Sequence, residues 1–260
     1  MVHAMLFAGG TGTRMKSANT PKQFIEVDGK PIIIRTLENF SKHPLVDDIV
    51  VSCIATGIDH LKDLIKEYKI EKVKAIVPGG ANGFESIHNG VVEVAKDAAD
   101  TDIILICDGV RPVMSEQLIS DCIELAKEYE TAVPVVRSID SVLVSTDGMN
   151  CNTNMPRENM YITQAPQGYT MRKILWAHEE AAKRGLVNPT SSADLLIELG
   201  ENIHIFIGER DNIKVTTPED LYTLRSHYYY EHYKKFAKEE LTYDVSVSYT
   251  HLTLPTILRV

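Results

Sequence analysis

Short apolar runs alternate with longer amphipathic stretches along most of this chain, and that rhythm constrains the fold most. The strand candidates are Ala4–Phe7, Ile49–Cys53, Val73–Val77, Ile103–Cys107, Thr131–Val136 and, late in the chain, His204–Ile207. The helix candidates are Ile32–Phe40, Ile58–Tyr68, Gly83–Ala98, Ser115–Glu130, Thr170–Arg184, Ser191–Leu199 and Pro218–Tyr229. Alternation of this kind predicts an α/β fold, a mostly parallel sheet with helices on both faces. Ligands of such sheets sit at the carboxyl ends of the strands. Four loops leave those ends, Ala8–Lys22, Pro78–Ser86, Asp108–Pro112 and Asp211–Thr217, and they are expected to converge on one site.

Residues 137–164 break the rhythm. Arg137–Val144, a turn at Thr146-Asp147-Gly148, and Tyr161–Gln164 read as two extended segments of an antiparallel arm. An isolated hairpin is marginal in water, so a dimerisation arm is favoured over a surface hairpin. From Val245 the chain is Thr/Leu/Val-rich and almost free of charge. Residues 245–260 are expected to be a poorly ordered or non-native tail, and 1–240 to form the folding unit.

The first loop reads AGGTGTRMKSANTPK. Gly9, Gly10 and Gly12 follow a strand, and Arg14 and Lys22 follow the glycines. Glycines let backbone N–H groups approach a ligand closely, and successive N–H groups make an anion-binding concavity. With two cations beyond them, the loop is expected to hold a polyphosphate. It is neither a Walker loop, since Lys22 follows Pro21 without the frame, nor a dinucleotide fingerprint, since the third glycine is missing.

Asp108 directly follows an apolar strand. It is read as a Mg²⁺ ligand, because that ion takes one or two carboxylates together with phosphate oxygens; the alternatives are a helix cap or a salt bridge to Arg111. Gly79-Gly80 allows close backbone approach, and Ser86 reads first as a helix cap. Lys214 precedes a helix start at Thr217-Pro218-Glu219-Asp220 and could bind phosphate if an anionic site lies opposite. A net charge of −9 argues against nucleic acid as a partner. No apolar run is long enough to span a bilayer and no leader is evident, so a cytoplasmic protein is expected. Cys53, Cys107, Cys122 and Cys151 lack metal-ligand spacing, and His3, His60, His88 and His178 are dispersed and read as structural. Glycine loops, one carboxylate and several cations suit nucleotidyl or phosphoryl transfer, which works by positioning and charge stabilisation.

Taken together, AGGTGTRM, PKQF, GKPIIIRTLENF, GG…ES, DGVRP, QAPQGY and NIKVTTPEDL, in this order from the start to about residue 225, resemble the 2-C-methyl-D-erythritol 4-phosphate cytidylyltransferase family and its relatives that use ribitol 5-phosphate. The resemblance implies a Rossmann-like nucleotidyltransferase and a homodimer held by the arm. It implies CTP and a polyol phosphate as substrates, with Mg²⁺. Ala8, Gly9, Gly10, Gly12 and Arg111 would belong to the nucleotide site, and the Gly80–Ala81 backbone with Ser86 would read the base. Arg14, Lys22 and Lys214 would be the catalytic cations and Asp108 the metal ligand. Asp140, Ser141 and Thr190 would position the acceptor across the dimer interface. The chain departs from the erythritol pattern at Gly9, Gly83, Cys107 and Met171, and Arg172 is the candidate for the arginine that binds the acceptor phosphate. The Gly-Gly-Thr-Gly-Thr-Arg and Gly-Val-Arg-Pro loops lean towards ribitol 5-phosphate over methylerythritol 4-phosphate. The competing expectations are a catalytically silent nucleotide-binding subunit and a transferase for an acidic sugar or hexose phosphate.

Overall fold

The computed structural model describes residues 1–10, 15 and 20–240, with only the helical backbone described for 235–240. Arg14, Gly12 and the tail from residue 245 lie outside the described residues. In chain order the elements are β1 (Val2–Ala8), β2 (Glu26–Val27), β3 (Lys30–Pro31), α1 (Ile32–Ser41), β4 (Asp48–Cys53), α2 (Ile58–Glu67), β5 (Val73–Pro78), α3 (Gly83–Ala95), β6 (Ile103–Asp108), α4 (Glu116–Tyr129), β7 (Thr131–Arg137), β8 (Val142–Val144), β9 (Thr153–Met155), β10 (Tyr161–Thr163), β11 (Gln167–Thr170), α5 (Met171–Arg184), α6 (Ser192–Glu198), β12 (Ile205–Ile207) and α7 (Pro218–Glu240).

Strands β5, β4, β1 and β6 lie side by side and parallel. β11 runs antiparallel to β6 and β7 between them, and β12 pairs parallel with β7. The central strands are apolar at nearly every position because both faces are covered. Ala4 and Leu6 of β1, with Leu105 and Cys107 of β6, pack under α1, α2 and α4 on one face. Met5 of β1 and Ile104 and Ile106 of β6 pack under α3, α5 and α6 on the other. A third cluster, Val27, Ile32, Val110, Val215 and Leu224, docks α7 beside the first loop.

The arm differs in detail from its sequence reading. Its outer part is a separate two-stranded hairpin, β8 with β9, pairing Val142 with Met155 and Val144 with Thr153. The segment Tyr161–Thr163 does not face residues 142–144. It pairs with Val135–Arg137 of β7 and belongs to the main sheet. Asp147 organises the tip, accepting hydrogen bonds from the backbone N–H of Met149 (2.9 Å) and Asn150 (2.8 Å). Those bonds hold the Asp147 carboxyl far below the usual carboxylate range. Among the described residues no helix is long and apolar enough to cross a membrane.

Candidate active site

The carboxyl ends of β1, β4, β5 and β6 open into a cavity of about 580 Å³. Its lining includes Ala8, Gly9 and Gly10 from the first loop, Gly79–Ser86 from the second, Asp108 from the third and Lys214 from the fourth, so the four loops meet as expected. A second cavity of about 240 Å³ adjoins it. Phe7, Asp108 and Lys214 line both and form the shared wall.

The first and second loops touch where only glycine fits. A Cβ on Gly9 would stand 2.5 Å from Ser86 Oγ, and one on Gly79 would stand 3.0 Å from Gly9 Cα. The start of the first loop is pinned by the buried Gln23, whose Nε2 donates to the Ala8 carbonyl at 2.9 Å. Lys22 opens the same turn and lines the cavity, with Nζ 3.4 Å from the Val215 carbonyl oxygen.

The cap of α3 is Asn82, whose side chain accepts from Glu85 N–H at 2.8 Å, and not Ser86. Ser86 sits one turn further on. Its hydroxyl donates to the Asn82 carbonyl at 2.8 Å and accepts from Gly80 N–H at 3.0 Å. Ala81 N–H donates to Glu85 Oε2 at 2.8 Å. The N–H groups of Gly80 and Ala81 are thus already engaged.

Asp108 is buried between two cations. Arg111 Nε donates to Oδ2 at 3.0 Å, and Lys214 Nζ lies 2.6 Å from Oδ1. Burial pushes the Asp108 carboxyl up, but Lys214 and Arg111 together outweigh it and hold it below the usual range. The salt bridge to Arg111 weighed at the sequence level is therefore present. Arg111 also donates to the Asn212 carbonyl at 2.8 Å and lines the second cavity, not the first. The resemblance puts it in the nucleotide site; in the structure its Nε and Nη1 engage Asp108 and the loop that carries Lys214. Neighbouring Cys107 is buried and its thiol is pushed up by that burial, so it offers no thiolate.

Thr190 lines the second cavity, its hydroxyl bonded to Asp194. Asp140 and Ser141 are exposed at the root of the arm and line neither cavity of their own chain. Arg172 stands apart from both cavities. Strand β11 runs antiparallel to β6, from Gln167 opposite Ile106 to Thr170 opposite Ile103. It carries Arg172 to the amino ends of the parallel strands, where the guanidinium pairs with Glu130. There it lines neither cavity of its own chain. Among the described residues no group of three or more His, Cys, Asp or Glu side chains could hold a metal ion.

The family model IspD, 2-C-methyl-D-erythritol 4-phosphate cytidylyltransferase, matches residues 2–228. This chain belongs to that family. Within it, the chain is 35% identical over 224 residues to a ribitol-5-phosphate cytidylyltransferase of Streptococcus agalactiae serotype V, covering 86% of this chain and 93% of the relative. It is 33% identical over 221 residues to a 2-C-methyl-D-erythritol 4-phosphate cytidylyltransferase of Clostridium acetobutylicum, covering 84% and 93%. The crystal structure of 4-diphosphocytidyl-2C-methyl-D-erythritol synthase from Anaerococcus prevotii superposes with a TM-score of 0.73 at 25% identity, over 87% of this chain and 95% of that one.

In this member of the family several site-building residues lie in motifs that reveal nothing of their contacts. Gln164 donates to the Glu209 carbonyl at 2.7 Å and accepts from Glu209 N–H at 3.1 Å, clamping the loop that leads to Lys214. Asn212 donates to the Ala165 carbonyl at 2.6 Å. Gln167 Oε1 accepts from Tyr169 OH at 2.9 Å and lies 3.3 Å from Ala193 N, fixing the start of α6 beside the second cavity. The QAPQGY run marks these positions, but only the fold shows that its glutamines join two loops.

Proposed function

We propose that this chain transfers CMP from CTP to D-ribitol 5-phosphate, releasing pyrophosphate and forming CDP-ribitol for cell-wall or capsular polymer synthesis of the teichoic-acid type, as a cytoplasmic homodimer. The observation that carries the reading is the shared wall. Asp108 and Lys214 stand between a cavity lined by glycine loops and a smaller, polar one. A nucleoside triphosphate in the first and a polyol phosphate in the second would bring the acceptor phosphate against the α-phosphorus at that wall. The ribitol assignment is supported by the loop sequences and by the relatives at 34–35% identity that bear that name. The alternative acceptor, 2-C-methyl-D-erythritol 4-phosphate, is supported by the Clostridium relative.

In the reaction a phosphate oxygen of the acceptor forms a bond to the α-phosphorus of CTP while the bond from that phosphorus to the β-phosphate bridging oxygen breaks. The nucleophile is already an anion, so no general base is required. Lys22, with Arg14, neutralises the triphosphate and the departing pyrophosphate. Lys214 faces the acceptor phosphate, and Asp108 and Arg111 hold Lys214 and its loop in place. Gly80, Ala81 and Ser86 receive the cytosine by exchanging hydrogen bonds they otherwise make within their own loop, and the arm brings Asp140 and Ser141 to the acceptor of the other protomer. Thr190 lies on the acceptor side. Mg²⁺ would be held mainly by phosphate oxygens and water, with Asp108 as the protein carboxylate once one of its oxygens, now facing Lys214 and Arg111, turns to the ion; it would supply charge neutralisation on the triphosphate.

The test is pyrophosphate release with CTP and Mg²⁺, comparing the two acceptors. Turnover confined to ribitol 5-phosphate supports the assignment. Turnover confined to methylerythritol 4-phosphate replaces it with the alternative, and release with neither overturns both.

A further inference from the structure

The second cavity contains a hydroxyl that the protein leaves without a partner. Thr190, Ser191 and Ser192 are consecutive at the start of α6. The Thr190 hydroxyl bonds Asp194, and Ser191 Oγ caps the helix by accepting from Asp194 N–H at 3.1 Å. Ser192 lines the cavity and is 3% exposed, yet its Oγ is buried with no hydrogen-bond partner. Buried polar groups are paired in the great majority of cases, and each exception calls for an explanation.

The surroundings supply one. Near the shared boundary Lys214 and Arg111 flank Asp108 and leave one net positive charge, while Gln164, Gln167 and Asp194 line the remainder with hydrogen-bonding groups. A phosphate fits the first part and a hydroxylated chain the second. Gln167 is largely engaged by the protein, with its oxygen bonded to Tyr169 and Ala193 and one amide N–H directed at the Gln164 carbonyl at 3.3 Å. Ser192 is not, and a serine hydroxyl reorients by rotation about a single bond, χ1. We infer that Ser192 is a specificity-determining residue that hydrogen-bonds a hydroxyl on the carbon chain of the acceptor, remote from its phosphate. The inference rests on the proposed assignment of this cavity to a polyol phosphate. A site built to hydrogen-bond a substrate hydroxyl rejects analogues that lack it, because its own polar group is then left unpaired.

The experiment compares the full-length protein with Ser192→Ala and with Ser192→Cys, which keeps the side-chain volume close to that of serine. Three quantities are measured in the pyrophosphate-release assay: the KM for ribitol 5-phosphate, the KM for CTP, and the inhibition constant of glycerol 3-phosphate, which carries the phosphate on a shorter chain, against ribitol 5-phosphate. Both variants are expected to raise the KM for ribitol 5-phosphate by about tenfold. The KM for CTP and the inhibition constant of glycerol 3-phosphate stay unchanged, and the melting temperature of Ser192→Ala equals or exceeds that of the parent. Equal losses on both phosphates, or no change on either, overturn the role of Ser192 while leaving the proposed reaction standing. An unmodified protein that releases no pyrophosphate with any polyol phosphate overturns the proposed reaction, and this inference with it.

Discussion

Lys214 Nζ lies 2.6 Å from Asp108 Oδ1, on the wall common to both cavities, while Arg111 holds the other carboxylate oxygen at 3.0 Å. The two cations are not equivalent. Arg111 is buried and bonded on both sides, whereas the Lys214 side chain is 41% exposed. Lys214→Ala should therefore cost little stability, no more than about 1 kcal/mol, but reduce turnover by about 10²–10³-fold. Asp108→Ala should do both, losing activity and on the order of 3–5 kcal/mol of stability, because it leaves Arg111 buried without its counter-charge. Thermal melts and steady-state rates on the two variants check the split. Comparable melting losses in both would mean that Lys214 is a structural residue.

Lys22 offers a cleaner separation of chemistry from fold. It lies on the cavity, on a three-residue turn beside the first loop. Lys22→Ala should lower kcat by about 10²–10³-fold, as for other groups that stabilise transition-state charge, with a near-parental melting temperature. Near-normal turnover would remove Lys22 from the catalytic set.

Gly9→Ala tests the contact between loops. The new methyl would fall 2.5 Å from Ser86 Oγ, the atom that accepts from Gly80 N–H. Relief requires Ser86 Oγ to rotate away, which breaks its bonds to Gly80 N–H and the Asn82 carbonyl, or the two loops to separate, at a cost of about 1–3 kcal/mol. CTP affinity, measured by calorimetry, should fall at least as far as in Ser86→Ala. Unchanged CTP binding would place the nucleotide elsewhere.

Stability at acid pH should carry the mark of His178. This ring is buried against Phe84 and His88, and neither nitrogen has a hydrogen-bond partner. Burial, and secondarily the charge of His88, pushes it down to about 4. The unfolded chain takes up a proton near pH 6.5 while the folded protein does not until about pH 4, so stability falls as pH drops through that window, by up to roughly 3 kcal/mol. His3 has the opposite sign. Burial lowers it, but hydrogen bonds and charge from Asp48 and Asp102 outweigh that and raise it. Its contribution is complete below pH 6.5 and disappears as pH rises through the raised value. In urea unfolding at pH 7 and pH 4.5, His178→Phe should lose less stability between the two than the parent does. Parallel losses would show that His178 is protonated in the fold.

The arm supplies a test of assembly. Ile139, Leu143 and Met149 are large apolar residues left exposed along it, the last at 86%. The proposed dimer would cover them. Under the proposed dimer, Ile139→Lys with Leu143→Lys should give a monomer in sedimentation and reduce turnover. A monomeric parent protein would refute the dimer.

Much of this fold was readable because parallel strands covered on both faces appear as uninterrupted apolar runs, and Ile103–Asp108 is such a run. Strand β11 was not readable, because Gln-Gly-Tyr-Thr has no apolar pattern. Its glutamine is satisfied by Tyr169 and Ala193, and Gly168 fits where a Cβ would stand 2.9 Å from Cys122 Sγ. Reversed strand direction also explains Arg172: nearness to QAPQGY in sequence becomes the length of the sheet in space. In the arm, the aromatic and β-branched Tyr161–Thr163 gave a stronger strand signal than Thr153–Met155, which is the actual partner of Val142–Val144. The glycine loops, Asp108 and Lys214 could be found because their residue types are unusual at strand ends. Ser192 could not, since a serine at a helix start ordinarily means a cap and nothing more.

The second loop binds itself before it binds anything else. Gly80 N–H, Ser86 Oγ and the Asn82 carbonyl form one chain of hydrogen bonds, and Ala81 N–H is held by Glu85. A nucleobase received there would exchange partners with the loop instead of filling empty valences. Each bond gained is offset by one surrendered, so the base contributes modestly to affinity. An ill-matched base, by contrast, breaks the internal set and replaces none of it. Under the proposed base site, departure of the product would let the loop close on its own hydrogen bonds again, and selectivity would reside in what the wrong base fails to restore.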